Sequence, residues 1–104
     1  MTSMGKREYT IDAIEVNGLN IAKVIIDSHY EERHSEHIND ELILNLVKRL
    51  DGRREIPESQ DNEGYSYFVT MLHYESKQFR LIWLLEDGAI YIGVINAYRD
   101  DRKG

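Results

Sequence analysis

Cysteine is absent from this chain, which excludes disulfide bonds and thiolate metal sites and fits a reducing compartment. Proline occurs once, at Pro57. No apolar run approaches the roughly 20 residues needed to span a bilayer. Met1 to Thr10 has no apolar h-region, so no secretory signal is expected and the cytoplasm is the expected location. Basic residues are the scarcer sign, 13 Lys and Arg against 19 Asp and Glu, for a net charge of −6. Nucleic-acid binders usually carry a basic footprint, so this balance argues against a general one. A small basic cleft on an acidic body remains compatible with it. There is no internal repeat and no low-complexity segment.

What is present suits one soluble domain over residues 1–104, large enough for a core without staples. Its most informative stretch is Tyr65 to Arg99. The run Phe79-Arg80-Leu81-Ile82-Trp83-Leu84-Leu85 is apolar on both alternating faces except at Arg80, as a strand buried on both sides would be. Asp87-Gly88 after it is a strong two-residue hairpin signal, and Glu75-Ser76 before it is a weaker turn. These turns predict a three-stranded antiparallel meander. Tyr74 should pair with Lys77, Leu72 with Phe79, Phe68 with Trp83, Trp83 with Ile92, Leu81 with Val94 and Phe79 with Asn96. One face then carries Phe68, Leu72, Phe79, Leu81, Trp83, Ile92 and Val94, extended by Asn96 and Tyr98. The other carries Tyr67, Val69, Met71, Arg80, Ile82, Leu84, Tyr91, Gly93, Ile95 and Arg99. A one-residue slip would break this sorting.

Before the meander, residues 1–7 read as a loose start. Tyr9 to Val16 alternates with apolar residues on both parities, and Asn17-Gly18 is a second hairpin signal ahead of the strand Leu19 to Ile26. Ser28 with Glu31 forms a capping-box pattern and predicts a short helix from His29 to Glu36. Asn39, with Asp40 and Glu41 in the first turn, starts a second helix to Asp51. Its stripe is Leu42, Ile43, Leu46, Val47 and Leu50, and Gly52 suits its C-terminal stop. Residues 53–64 read as a mobile polar loop and residues 100–104 as a charged tail. The expected architecture is therefore α+β: an N-terminal β-hairpin, two helices, then the meander, with the helices packed on one face of the sheet.

Three places can carry chemistry. The segment Asp27 to His37 holds three of the four histidines. On a helix His29 and Arg33 share a face, as do Tyr30 and His34. An imidazole beside a guanidinium suits a proton donor with a phosphate clamp, and a solvated charged helix reads the same way. His34 and His37 with Glu31 or Asp27 are an alternative metal set, without the spacing of the His-Glu-x-x-His motif. Asn96, Tyr98 and Arg99 end the last strand, where a rigid scaffold holds polar groups. Tyr67, Arg80, Tyr91 and Arg99 place aromatics between arginines on one face, a pattern that stacks bases and grips phosphates. Cover by the N-terminal hairpin or by a partner subunit would account for that face as well.

A helix opening with His29 and carrying Arg33, a second helix, and antiparallel strands ending in Tyr98-Arg99 resemble the RelE/ParE-type toxin fold. That broad group includes colicin D-like and phage-encoded nuclease domains. The resemblance spans about residues 28–99, leaving the N-terminal hairpin partly outside. It implies RNA cleavage without metal or cofactor. His29 would be the acid or base, Arg33 and Arg80 would hold phosphate, and Tyr98 or Arg99 would assist, with Tyr67 and Tyr91 among the substrate contacts. RNA and a small antitoxin-like protein are the partners it implies. The acidic balance departs from the group's basic character. The rival expectation is a non-enzymatic interaction domain that docks a protein on its exposed aromatic sheet face.

Overall fold

Asn17 and Gly18 both adopt left-handed backbone, with φ of 52° and 77°. This is the pattern of a type I′ turn, whose twist matches that of the strands it joins. It connects β1 (Lys6–Val16) to β2 (Leu19–Asp27). The computed structural model describes residues 5–34 and 36–100. After β2 come a 3-10 turn (Ser28–Tyr30), α1 (Glu31–His34), α2 (Asp40–Lys48), β3 (Ser59–Gln60), β4 (Tyr65–Tyr74), β5 (Lys77–Glu86) and β6 (Tyr91–Arg99). The strands form one six-stranded sheet in the order β1-β2-β6-β5-β4-β3. All neighbours are antiparallel except β2 and β6, which are parallel.

This mixed sheet overturns the expected hairpin, two helices and separate three-stranded meander. The hairpin is not a separate unit, because β2 pairs with β6 from Lys23–Tyr91 to Ile26–Val94. The physical reason lies in β2 itself. Val24 and Ile26 are buried, and Ile25 between them is half-buried on the other side. A strand apolar on both sides belongs inside a sheet, with a neighbour on each edge. The helices are also shorter than expected, at four and nine residues. Ser28 does not cap the first. Asp27 accepts the His29 N–H at 2.9 Å, and the chain makes a 3-10 turn before α1 begins at Glu31. Asn39 caps α2 by accepting the Leu42 N–H at 2.8 Å. Past Lys48 that helix tightens into i→i−3 bonds from Arg49, Leu50 and Asp51, ahead of Gly52 at φ 83°.

Both flanking segments expected as loose are partly engaged. β1 begins at Lys6 and the side chain of Asp100 pairs with Arg80, while residues 1–4 and 101–104 lie outside the described residues. The stretch 53–64 holds β3, which pairs Ser59 with Tyr67 and Gln60 with Ser66. The Asn17 side chain exchanges two hydrogen bonds with the Glu55 backbone, at 2.7 and 3.1 Å.

The register between β4 and β5 is as the turns predict, including Tyr74–Lys77, Leu72–Phe79 and Phe68–Trp83. Glu75 and Ser76 are both left-handed, at φ 52° and 69°. The β5–β6 register differs. At Asp87-Gly88 only Gly88 has positive φ, and the Ala89 N–H bonds the Glu86 carbonyl at 3.1 Å. That is the pattern of a type II turn, which splays strands. Ala89 and Ile90 then fall outside the ladder, so Trp83 pairs with Val94 rather than Ile92. A slip of two residues preserves the facing, and Trp83, Ile92 and Val94 all stay buried. A β-bulge then reverses it: Ile82 pairs with Asn96 but Trp83 with Val94, leaving Ile95 as the extra residue. Ala97 and Arg99 therefore share the Trp83 face, and Asn96 and Tyr98 share the other, opposite to expectation.

The Trp83 face is the core face. Ile43, Leu46, Val47 and Leu50 of the second helical segment are fully buried and belong with Phe68, Leu72, Leu81 and Trp83 to one cluster. Phe68 stacks on Trp83 with centroids 4.1 Å apart. The indole N–H donates to Thr70 Oγ1 at 3.0 Å, and the Thr70 hydroxyl donates to Glu55 at 3.1 Å. Trp83→Ala should therefore destabilise by roughly 3–5 kcal/mol in a denaturant titration. Ser76→Gly should stabilise by about 0.5–1 kcal/mol and raise Tm, since glycine removes the left-handed penalty at a position now held by serine. An unchanged or lower Tm would show that Ser76 is not strained there.

Candidate functional site

Among the described residues, α2 packs on the Trp83 face and leaves the middle of the second face uncovered. Val69, Met71, Ile82, Leu84, Ile95 and Ile25 are half-buried there, and none belongs to the core cluster. Across its middle the sheet forms a cavity of about 280 Å³, with Tyr65, Tyr67 and Tyr91 around it, Leu84 and Gly93 in its lining, and Lys6 and Asp27 at the β1–β2 side. Tyr65 and Tyr67 have ring centroids 6.4 Å apart. Their neighbours fix the phenols. Tyr67 donates to Asp61 at 2.9 Å and Tyr91 to Glu86 at 2.8 Å. Hydrogen bonding to Asp61 raises the Tyr67 pKa; burial, then Glu86, raises that of Tyr91. Both hydroxyls thus stay protonated, and both rings stay in place.

At the far end of β6 the same face holds Tyr98, which lies opposite Arg80 in the ladder. α1 brings His34 onto Tyr98, with centroids 5.2 Å apart and the rings 23° from parallel. Arg80 reaches Asp100 through two nitrogens, at 3.0 and 2.8 Å, and Asp100 is only 5% exposed. The guanidinium is therefore rigidly held, with part of its charge answered.

The other residues singled out in the sequence lie elsewhere. His29 sits on the 3-10 turn with its side chain 62% exposed, and its Nδ1 is 3.4 Å from Glu32. Arg33 is exposed on α1. Arg99, turned by the bulge to the core face, lines a separate cavity of about 420 Å³ with Glu41, Tyr74 and Lys77. It does not join Tyr67 and Tyr91. The group His34, His37, Glu31 and Asp27 is not drawn together, and no set of three or more possible ligands among the described residues is placed to hold a metal. What the structure brings together is Tyr98, Arg80 and His34. The last was visible in sequence only as a metal candidate and as the i, i+4 neighbour of Tyr30.

A second cluster escaped sequence reasoning and positions the first. Asp40, in the first turn of α2, accepts from Arg7 Nε at 2.6 Å and Arg7 Nη2 at 2.9 Å. It also accepts from the Tyr9 and Tyr30 hydroxyls, at 2.5 and 2.7 Å. One carboxylate thus ties β1, the 3-10 turn and α2 together. Tyr30 is buried and directly precedes α1, so this knot sets where His34 can stand. The available signal was Arg7 and Tyr9 on one parity of β1. Nothing in the chain's spacing linked them to a carboxylate 33 and 31 residues away.

Comparisons with protein-family models, with curated proteins and with solved structures yield no match for this chain.

The Arg7 guanidinium, followed by the two tyrosine hydroxyls, holds the Asp40 carboxyl down at about 2, against an ordinary 3.8. A carboxyl depressed on folding contributes stability above its unfolded value and loses it as pH falls through the folded one. Acid unfolding should therefore steepen between pH 4 and 2. Asp40→Asn should flatten that interval and cost roughly 1–2 kcal/mol at pH 7, discounted because Arg7 faces water. Equal pH slopes for the two proteins, measured by urea midpoints, would contradict this role.

Proposed function

We propose that the chain binds single-stranded RNA along the open sheet face and cleaves it at the end where His34 meets Tyr98. The observation that carries this is the stack of His34 on Tyr98, with Arg80 opposite Tyr98 on the neighbouring strand. Cleavage by a ribose 2′-hydroxyl needs a base to take its proton, an acid to protonate the leaving 5′-oxygen, and positive charge on the phosphorane-like transition state. An imidazole suits either proton transfer near neutral pH. The Tyr98 hydroxyl is a second donor, and Arg80 supplies the charge. His34 takes the role that the toxin-fold resemblance implied for His29. Arg33, one residue before His34 and open to solvent, would contact the strand's phosphates. The tyrosines at the other end offer flat faces on which bases stack. The proposal sets this chemistry in the cytoplasm, where RNA is met.

A second reading is a non-enzymatic domain that docks a protein on the same face. The net charge of −6 and the pairing of Arg80 with Asp100 favour it, since both weaken the attraction for phosphate.

The assay is cleavage of a labelled single-stranded RNA in EDTA at low ionic strength, with products ending in 2′,3′-cyclic phosphate expected. His34→Ala should lower the rate by about 100-fold or more. Tyr98→Phe, which keeps the ring and the stack, should lower it less, with Tm nearly unchanged in both. Binding should weaken steeply with salt. A folded protein that binds no RNA at low salt would remove this proposal and leave the protein-docking domain.

A further inference from the structure

The tyrosine-lined cavity has features that a general stacking platform does not need. Two of its three rings, Tyr67 and Tyr91, are pinned at their rims by Asp61 and Glu86. Its floor is closely packed for a definable reason: a Cβ at Gly93 would stand 2.8 Å from Leu84 Cδ1, so the absent side chain is what lets Leu84 lie against β6. On its β1–β2 side it carries one cation and one anion, Lys6 and Asp27, which are ladder partners. The Asp27 Oδ1 accepts the His29 N–H at 2.9 Å, whereas among the described residues neither Oδ2 nor the Lys6 ammonium has a hydrogen-bond partner.

We infer that this cavity is a base-binding subsite selective for guanine nucleotides. A ring stacked on tyrosine gains affinity whatever its identity, so selectivity must come from the edge it presents. A carboxylate only accepts, and does so best from two parallel donors. Guanine alone among the four common bases offers two on its Watson–Crick edge, the N1–H and the 2-amino group. Adenine and cytosine present an amino group beside an acceptor nitrogen, and uracil presents one N–H between two carbonyls. Each of these sets lone pairs against the carboxylate. Lys6, beside Asp27, answers the O6 carbonyl that flanks the N1–H on the same edge. At about 280 Å³ the cavity is near the small end of ligand pockets, suited to one nucleotide.

Asp27 also caps the turn that leads into α1 and His34, so it marks the side of the cavity turned toward the proposed cleavage end. That link to RNA rests on the function proposed above; the subsite itself does not.

The experiment titrates the four 5′-ribonucleoside monophosphates into the full chain and follows backbone amide shifts. GMP should saturate, with shifts at Tyr67, Leu84 and Tyr91, and bind about tenfold or more tighter than AMP, CMP or UMP. Asp27→Asn keeps a capping side chain but replaces half of the acceptor by a donor. It should remove the GMP preference while Tm stays unchanged. A pentanucleotide with one central guanosine should bind at the same amides, and its all-uridine counterpart should bind more weakly. Equal binding of the four nucleotides, no binding of GMP, or a preference that survives Asp27→Asn would each overturn the inference. Guanine-selective binding without cleavage would remove the nuclease proposal and keep this one. Cleavage without nucleotide preference would do the reverse.

Discussion

Lys23 to Ile26 of β2 run parallel to Tyr91 to Val94 of β6, and most of the structure's consequences pass through that joint. A parallel neighbour needs a long connection, and here the helices and the β3–β5 strands supply it. β2 stops at Asp27 while β6 continues to Arg99, so the chain leaving β2 makes its 3-10 turn beside the free end of β6. His34 reaches Tyr98 for that reason. The bulge at Ile95 is the complementary device. Without it Tyr98 would point into the core and Arg99 would stand on the open face.

The Asp40 knot holds this arrangement from the other side of the sheet. α1 has only four residues and buries none of them, so it has no packing face of its own. Its position is inherited from Tyr30, which is buried and bonded to Asp40, and from the cap at Asp27. A polar network of this kind stabilises only when its members are satisfied together. Arg7 supplies two of the four hydrogen bonds that Asp40 accepts. Charge is divided accordingly: Asp100 and Asp40 are paired internally, while Lys6 and Arg33 face outward.

The parts of the fold readable from sequence are those set by local chemistry. Asn17-Gly18 and Glu75-Ser76 each closed a two-residue turn, and the Phe68–Trp83 pair followed from the second. Asn39 and the Leu42–Leu50 stripe marked the start and buried side of α2. Asp87-Gly88 misled because the same dipeptide fits a type II turn, and two further residues then left the ladder. The bulge at Ile95 has no local signal, since Val94-Ile95 is as good a strand as any. Nor does the β2–β6 pairing, which depends on residues 68 apart in sequence. The site suffered from both failures: Arg80, Tyr67 and Tyr91 share the open face as read, but the bulge brought Tyr98 onto it and took Arg99 off it, and His34, not His29, met Tyr98.

The central claim is that ligand meets the open sheet face and that His34 and Tyr98 mark its reacting end. Amide and side-chain shift mapping with a short single-stranded RNA at low ionic strength addresses it most directly. The account predicts perturbations running from Tyr67 and Tyr91 through Leu84 to Tyr98 and the His34 ring, with Leu46 and Val47 on the helix-covered side unmoved. Shifts confined to α2 and the Arg99 cavity, or none in the folded protein, would contradict it.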